Sequence, residues 1–142
     1  MSVSRVVYFV RAKAPSPSAW AEAIVRAGFP LELETDFDLD EEDGGLAGTF
    51  DGVEGGFEYY VEDAEDRELD ATHAERIGER DTSIAFVTHS SMRDLAVAVA
   101  AAAVFCELAD GVLHDEESDR WISRRDAVRD AAALIEEIRA DL

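Results

Sequence analysis

Three short segments between residues 31 and 62 alternate side-chain character with a period of two. Leu31 and Leu33 oppose Glu32 and Glu34; Leu46, Gly48 and Phe50 oppose Ala47, Thr49 and Asp51; Phe57, Tyr59 and Val61 oppose Glu58, Tyr60 and Glu62. This period belongs to strands, because successive side chains leave opposite faces of the pleat. One apolar row and one polar row call for an antiparallel sheet with one wet face. The same region holds most of the charge. Residues 31–70 contain 17 of the chain's 33 carboxylates and one basic residue, Arg67, which is −16 of a formal net charge of −20. Like charge at that density opposes compactness. A basic partner, bound cations or salty surroundings must offset it.

The flanking sequence supplies the rest of the layers. Val3 to Arg11 is apolar on both faces, with Val6, Tyr8 and Val10 opposite Val7 and Phe9, and reads as an interior strand. Ser16 can cap a helix with Pro17 in its first position. That helix presents Trp20, Ala23, Ile24 and Ala27 on one side and stops at Gly28 and Pro30. Asp43-Gly44-Gly45 and Asp51-Gly52 with Gly55-Gly56 are expected as turns. Asp63 to Arg80 reads as a loop with one helical turn near Ala74. Asp81 to His89 returns to strand. Ser91 and Asp94 form an S-x-x-D box opening a helix from Met92 to about Ala109, apolar nearly all round, as in a buried central helix. Val112 to His114 can add a short strand. Ser123 and Asp126 form a second box before a helix striped with Val128, Ala131, Ile135, Ile138 and Leu142. The expected fold is α+β in two layers: a predominantly antiparallel sheet with helices packed on one face. The other face would display Glu32, Glu34, Thr49, Glu58, Tyr60 and Glu62, with the acidic loop Thr35 to Asp43 at its rim.

A chain of 142 residues is expected to form a single domain, residues 1–142. Its one cysteine, Cys106, excludes an internal disulfide framework. Met1 to Arg11 lacks the charged start and small-residue cleavage site of a secretion signal. The longest apolar run, Leu95 to Cys106, has 12 residues, against the ~20 a membrane span needs. A cytoplasmic location is therefore expected. The sign of the charge disfavours direct binding to nucleic acid or to anionic membranes, both of which select basic patches.

Candidate chemistry is sparse. Asp36-Phe37-Asp38-Leu39-Asp40 begins like a calcium loop, but glutamate (Glu41) stands where the EF-hand needs glycine, and Ala47 where it needs glutamate. Clustered oxygens there still suit weak divalent binding. His89, His114 and Asp115 could meet in the fold, with Cys106 on the intervening helix, but no tight spacing marks a metal set. Thr88-His89-Ser90-Ser91 puts hydroxyls beside a histidine without a G-x-S-x-G elbow, and such hydroxyls more often cap helices. Trp121 either staples the last helix or anchors an interface. We assign no catalytic residue, no metal ligand and no cofactor from the sequence.

Several runs resemble a group of small, uncharacterised bacterial cytosolic proteins: Ser18-Ala19-Trp20, Ala27-Gly28-Phe29-Pro30-Leu31, Asp36-Phe37-Asp38, Gly56-Phe57-Glu58-Tyr59-Tyr60 and the alanine-rich second helix. The resemblance covers most of the chain and implies no activity. In size and acidity the chain is also similar to immunity proteins, which neutralise bacterial toxins by direct binding. The expected function is a non-enzymatic module that binds a basic protein, such as a toxin, through Glu32, Glu34, Asp36, Asp38, Asp40, Glu41, Glu42, Asp43, Glu58, Tyr60 and Glu62. Concentrated charge of one sign speeds such encounters. The alternatives are a nucleic-acid mimic that blocks a DNA- or RNA-binding protein, and a small enzyme using His89 or His114. Salt adaptation should spread acid evenly. Instead residues 1–30 carry four basic and one acidic residue. An exposed sheet edge also allows a homodimer.

Overall fold

The computed structural model describes residues 2–39, 43–67 and 69–142, with Asp43 described through its backbone only. Seven strands, β1 (Val3–Phe9), β2 (Leu31–Leu33), β3 (Asp43–Phe50), β4 (Val53–Asp63), β5 (Thr82–Thr88), β6 (Val112–Asp115) and β7 (Arg120–Ser123), form one sheet in the order β2-β3-β4-β5-β1-β6-β7. Every neighbouring pair is antiparallel. The described residues also form four α-helices, α1 (Pro17–Arg26), α2 (Ala71–Ile77), α3 (Met92–Leu108) and α4 (Ala127–Arg139). None is long and apolar enough to cross a membrane. The chain is thus an α+β protein with helices packed on an antiparallel sheet. Its edges are β2 and β7, of three and four residues, and short edges limit unwanted strand pairing.

Strand β1 sits inside the sheet because both its faces are apolar, and the two faces meet different layers. Val7 and Phe9 join Ile84, Phe86 and Leu113 in the main core with α1, α3 and α4. In α3, every residue from Ala96 to Cys106 is buried. Its alanines let backbone approach backbone, and the Trp20 indole donates to the Ala101 carbonyl at 2.9 Å. Trp20 also meets the rings of Phe37, Phe57, Phe86 and Phe105. Helix α1 starts as expected, with the Ser16 hydroxyl accepting from the Ala19 amide. Ser91 caps α3 in the same way, but the Asp94 carboxylate reaches across to accept from Gly56 N at 3.0 Å, fastening the helix to β4.

Three readings need correction. Asp43-Gly44-Gly45 and Gly55-Gly56 are not turns: they lie within β3 and β4, and only Asp51-Gly52 turns the chain. Both turn residues have positive φ, 53° and 78°, which the tightest hairpin turns require. The strand glycines answer to close packing instead; a Cβ on Gly48 would lie 2.7 Å from the Glu32 carbonyl oxygen. The described residues between 63 and 80 hold the helical turn expected near Ala74 and more structure than the loop expected around it. They form a 3₁₀ turn at Ala64–Asp66 and then α2, with Asp70 accepting from the His73 amide at 2.8 Å. Ile77 packs with Val6, Tyr8 and Ala85, on the sheet face opposite the other three helices. With a single buried residue, α2 has no apolar stripe to betray it. Finally, Trp121 belongs to β7 and is no helix staple. The α4 cap is Asp126, whose carboxylate binds the Ser123 hydroxyl and makes no side-chain bond to the helix amides.

Candidate functional site

The second sheet face is divided. One half, over β1, β5, β6 and β7, carries a small apolar cluster under the 64–77 segment. The other half, over β2, β3 and β4, carries the acidic row. Cross-strand register sets Glu32 opposite Thr49, Thr49 opposite Glu54, and Gly45 opposite Glu58. Glu32, Glu54, Glu58 and Glu62 are exposed, and Tyr60 keeps 38% of its surface in solvent. Between them Gly45, Ala47 and Gly56 leave a low floor, and a shallow groove of ≈ 590 Å³ is lined by Glu32, Glu34, Thr49 and Glu54. Glu58 binds His89 at 3.2 Å and accepts a long bond from the Tyr60 hydroxyl at 3.4 Å. Glu62 pairs with Arg67 at 3.6 Å.

Glu34, Asp36 and Asp38 continue the acidic surface past β2, all exposed. Phe37 and Leu39 turn inward against the core, and Phe37 meets both Trp20 and Tyr59. Period-two alternation thus continues beyond the strand and pins the loop by its apolar members. Asp40, Glu41 and Glu42 lie outside the described residues, as does the side chain of Asp43.

The histidines are distributed differently from the sequence reading. His89, His114, Asp115 and Cys106 do not meet. His89 goes to Glu58, while Asp115 turns to Arg5 on the helix side. Cys106 is buried in the α3 core, where loss of solvent pushes its thiol up to about 12. The Ser91 hydroxyl is used as a cap. His114 faces the covered half of the second face, where it meets His73 and Asp119. Its Nε2 lies 2.8 Å from Asp119 Oδ1, and His73 Nε2 lies 3.4 Å from the same oxygen. The hydrogen bond from His114 is the main reason the Asp119 carboxyl sits below its ordinary value. An ionised acceptor there places the His114 proton on Nε2, and the buried Nδ1 has no partner among the described residues.

Aromatic rings hold this cluster in place. Register puts Trp121 directly across from His114, and their rings stack at 4.3 Å and 13°. Tyr8 stacks on Trp121 at 5.7 Å, and the Arg76 guanidinium lies 5.9 Å from the Trp121 ring centre. Arg67 donates to the Tyr8 hydroxyl at 3.1 Å. Burial raises the Tyr8 pKa, and Arg67 works against that shift. The sequence reading missed His73 and Asp119. The only local signal was Asp70-x-x-His73, a cap pattern; the meeting of α2 with the β6–β7 turn is a tertiary event.

The sequence matches no protein-family model and no curated protein.

Proposed function

We propose that this protein is a non-enzymatic module that docks a basic protein on the acidic half of its second sheet face. The observation that carries the reading is the exposure of Glu32, Glu58, Glu62 and Tyr60 on one face of β2 and β4, in the half where no described helix packs. Carboxylates on rigid strands cost little ordering on binding, and a half-exposed tyrosine adds amphipathic contact area among them. Long-range attraction to a basic surface would speed encounter and fade with salt. Within this reading we favour an intracellular immunity or inhibitor role in a bacterial cell, with a basic toxin as the partner. The loose likeness to immunity proteins supports that version.

The test is affinity capture from the native cell at low and at high salt, with the wild type and a Glu58→Gln/Tyr60→Ala/Glu62→Gln variant. The expected result is one basic protein retained at low salt, released as salt rises, and lost with the variant although its melting is unchanged. Equal capture by the variant rejects this face. Competition by DNA or RNA for the captured protein would move the assignment to a nucleic-acid mimic.

A further inference from the structure

We propose that His73, His114 and Asp119 form a binding site for one divalent transition-metal ion of the zinc, cobalt and nickel class. It lies apart from the acidic half-face. The three donor atoms are two imidazole nitrogens and one carboxylate oxygen, all within 4.8 Å of one another. Nitrogen-rich sets of this kind favour zinc and its neighbours, whereas calcium and magnesium take all-oxygen sites. Three protein ligands would leave a fourth position for water or for an atom of a partner.

Two of the three donor separations compare closely with what an ion needs. Two donors on a tetrahedral ion at arms of ~2.0–2.1 Å stand roughly 3.3–3.4 Å apart. His73 Nε2 and Asp119 Oδ1 are already 3.4 Å apart. His114 Nε2 and Asp119 Oδ1 are nearer, at 2.8 Å, because a proton joins them. An ion would take the Nε2 lone pair, and the imidazole proton would reside on Nδ1. That nitrogen lacks a partner among the described residues, so the shifted proton would stand buried without an acceptor, a cost that the bonds to the ion must outweigh. The pair then opens by about half an ångström. Asp119 can supply that movement, because its side chain is 68% exposed and ends the β6–β7 turn.

The surroundings fix the other two ligands. His114 is 8% exposed at its side chain and clamped by Trp121. His73 stands on the first turn of α2, and behind it Asp70 Oδ1 lies 3.8 Å from Nδ1. At that distance Asp70 makes no hydrogen bond to the ring; its Oδ1 accepts from the His73 amide at 2.8 Å and holds the backbone that carries the imidazole. Asp119 adopts φ +53°, a left-handed conformation uncommon outside glycine, asparagine and aspartate. That conformation aims its carboxylate at both rings.

The experiment is a titration of untagged protein with zinc by calorimetry, followed by cobalt absorption and by nickel quenching of tryptophan fluorescence. Trp121 stacks on a proposed ligand, while Trp20 lies in the core on the opposite face. One equivalent of zinc is expected to bind. His73→Gln and Asp119→Asn should each weaken binding at least tenfold, and cobalt should give a low-symmetry visible spectrum. Nickel quenching should persist in Trp20→Phe. Both weakening substitutions alter partly exposed side chains (23% and 68%), so the melting of each variant separates lost binding from lost folding. Absence of stoichiometric binding overturns the proposal. So does zinc binding that both variants retain but that Asp36→Asn/Asp38→Asn abolishes, which would locate the ion in the acidic loop.

Discussion

Arg5 offers the sharpest test of how the sheet is tied to its helices. It lies on the helix side of β1 with only 5% of its side chain exposed, 3.4 Å from Asp115 and 3.9 Å from Asp130 of α4. Burial lowers the pKa of the guanidinium, and the two carboxylates oppose that shift. Removing one partner of a buried ion pair costs about 3–5 kcal/mol, because the other charge stays buried. Here the cost should be smaller. Asp130 keeps Arg120 at 3.0 Å, and Asp115 keeps the Ser118 hydroxyl at 3.0 Å and the Glu117 amide at 3.2 Å. Arg5→Met retains most of the apolar stem, so the loss should be about 2–3 kcal/mol. With a urea slope of ~1–3 kcal/mol/M, this lowers the unfolding midpoint by roughly 0.7–3 M. The double variant Arg5→Met/Asp115→Asn removes the stranded charge and should recover about 1 kcal/mol relative to the sum of the single losses. Urea unfolding of the four proteins, followed by tryptophan fluorescence and far-ultraviolet circular dichroism, measures both quantities. A stability change below about 0.5 kcal/mol in Arg5→Met, or strict additivity in the cycle, would falsify the view that Arg5 is an electrostatic tie.

Two further outcomes follow from local geometry. Gly48→Ala places a Cβ 2.7 Å from the Glu32 carbonyl oxygen. It should destabilise by about 1–3 kcal/mol through forced separation of β2 from β3, a loss that equilibrium urea unfolding would detect; a neutral or stabilised variant contradicts the close strand contact. Asp81 accepts from the Arg11 amide and the Thr82 hydroxyl, both at 2.9 Å, and these bonds lower its pKa. A depressed carboxyl contributes stability that is complete above its unfolded value near ~4 and is lost as pH falls through the folded value. Asp81→Asn should therefore lower the urea midpoint at pH 7 and leave it nearly unchanged at about pH 2, and an equal loss at both pH values would contradict the assignment.

The elements visible in the sequence were those whose signal is local. Alternation in Leu31–Leu33, Leu46–Phe50 and Phe57–Val61 shows directly which side chains share a face, because strand geometry enforces it residue by residue. The Ser16 and Ser91 caps are likewise set by neighbours three residues away. Even the exposure of Glu32, Glu58 and Glu62 follows from register and alternation.

Other features had no local signal. Gly44, Gly45, Gly55 and Gly56 have the composition of turns, yet they pair as strand; at Gly44, Gly55 and Gly56 a Cβ would press on Tyr59, Val97 and the Leu46 carbonyl oxygen. Helix α2 buries one apolar residue, so its period could not be read, and it exists through a cap and contact with Val6, Tyr8 and Ala85. That contact divides the second sheet face into a covered half and an acidic half. It also carries His73 across more than forty residues of sequence to His114 and Asp119. The amino-acid order alone determined the alternating strands, the helices capped by Ser16 and Ser91 and the row of carboxylates on one face of β2 and β4. Tertiary packing alone decided where α2 lands, and therefore which histidines meet, because that meeting depends on contacts between segments distant in the chain.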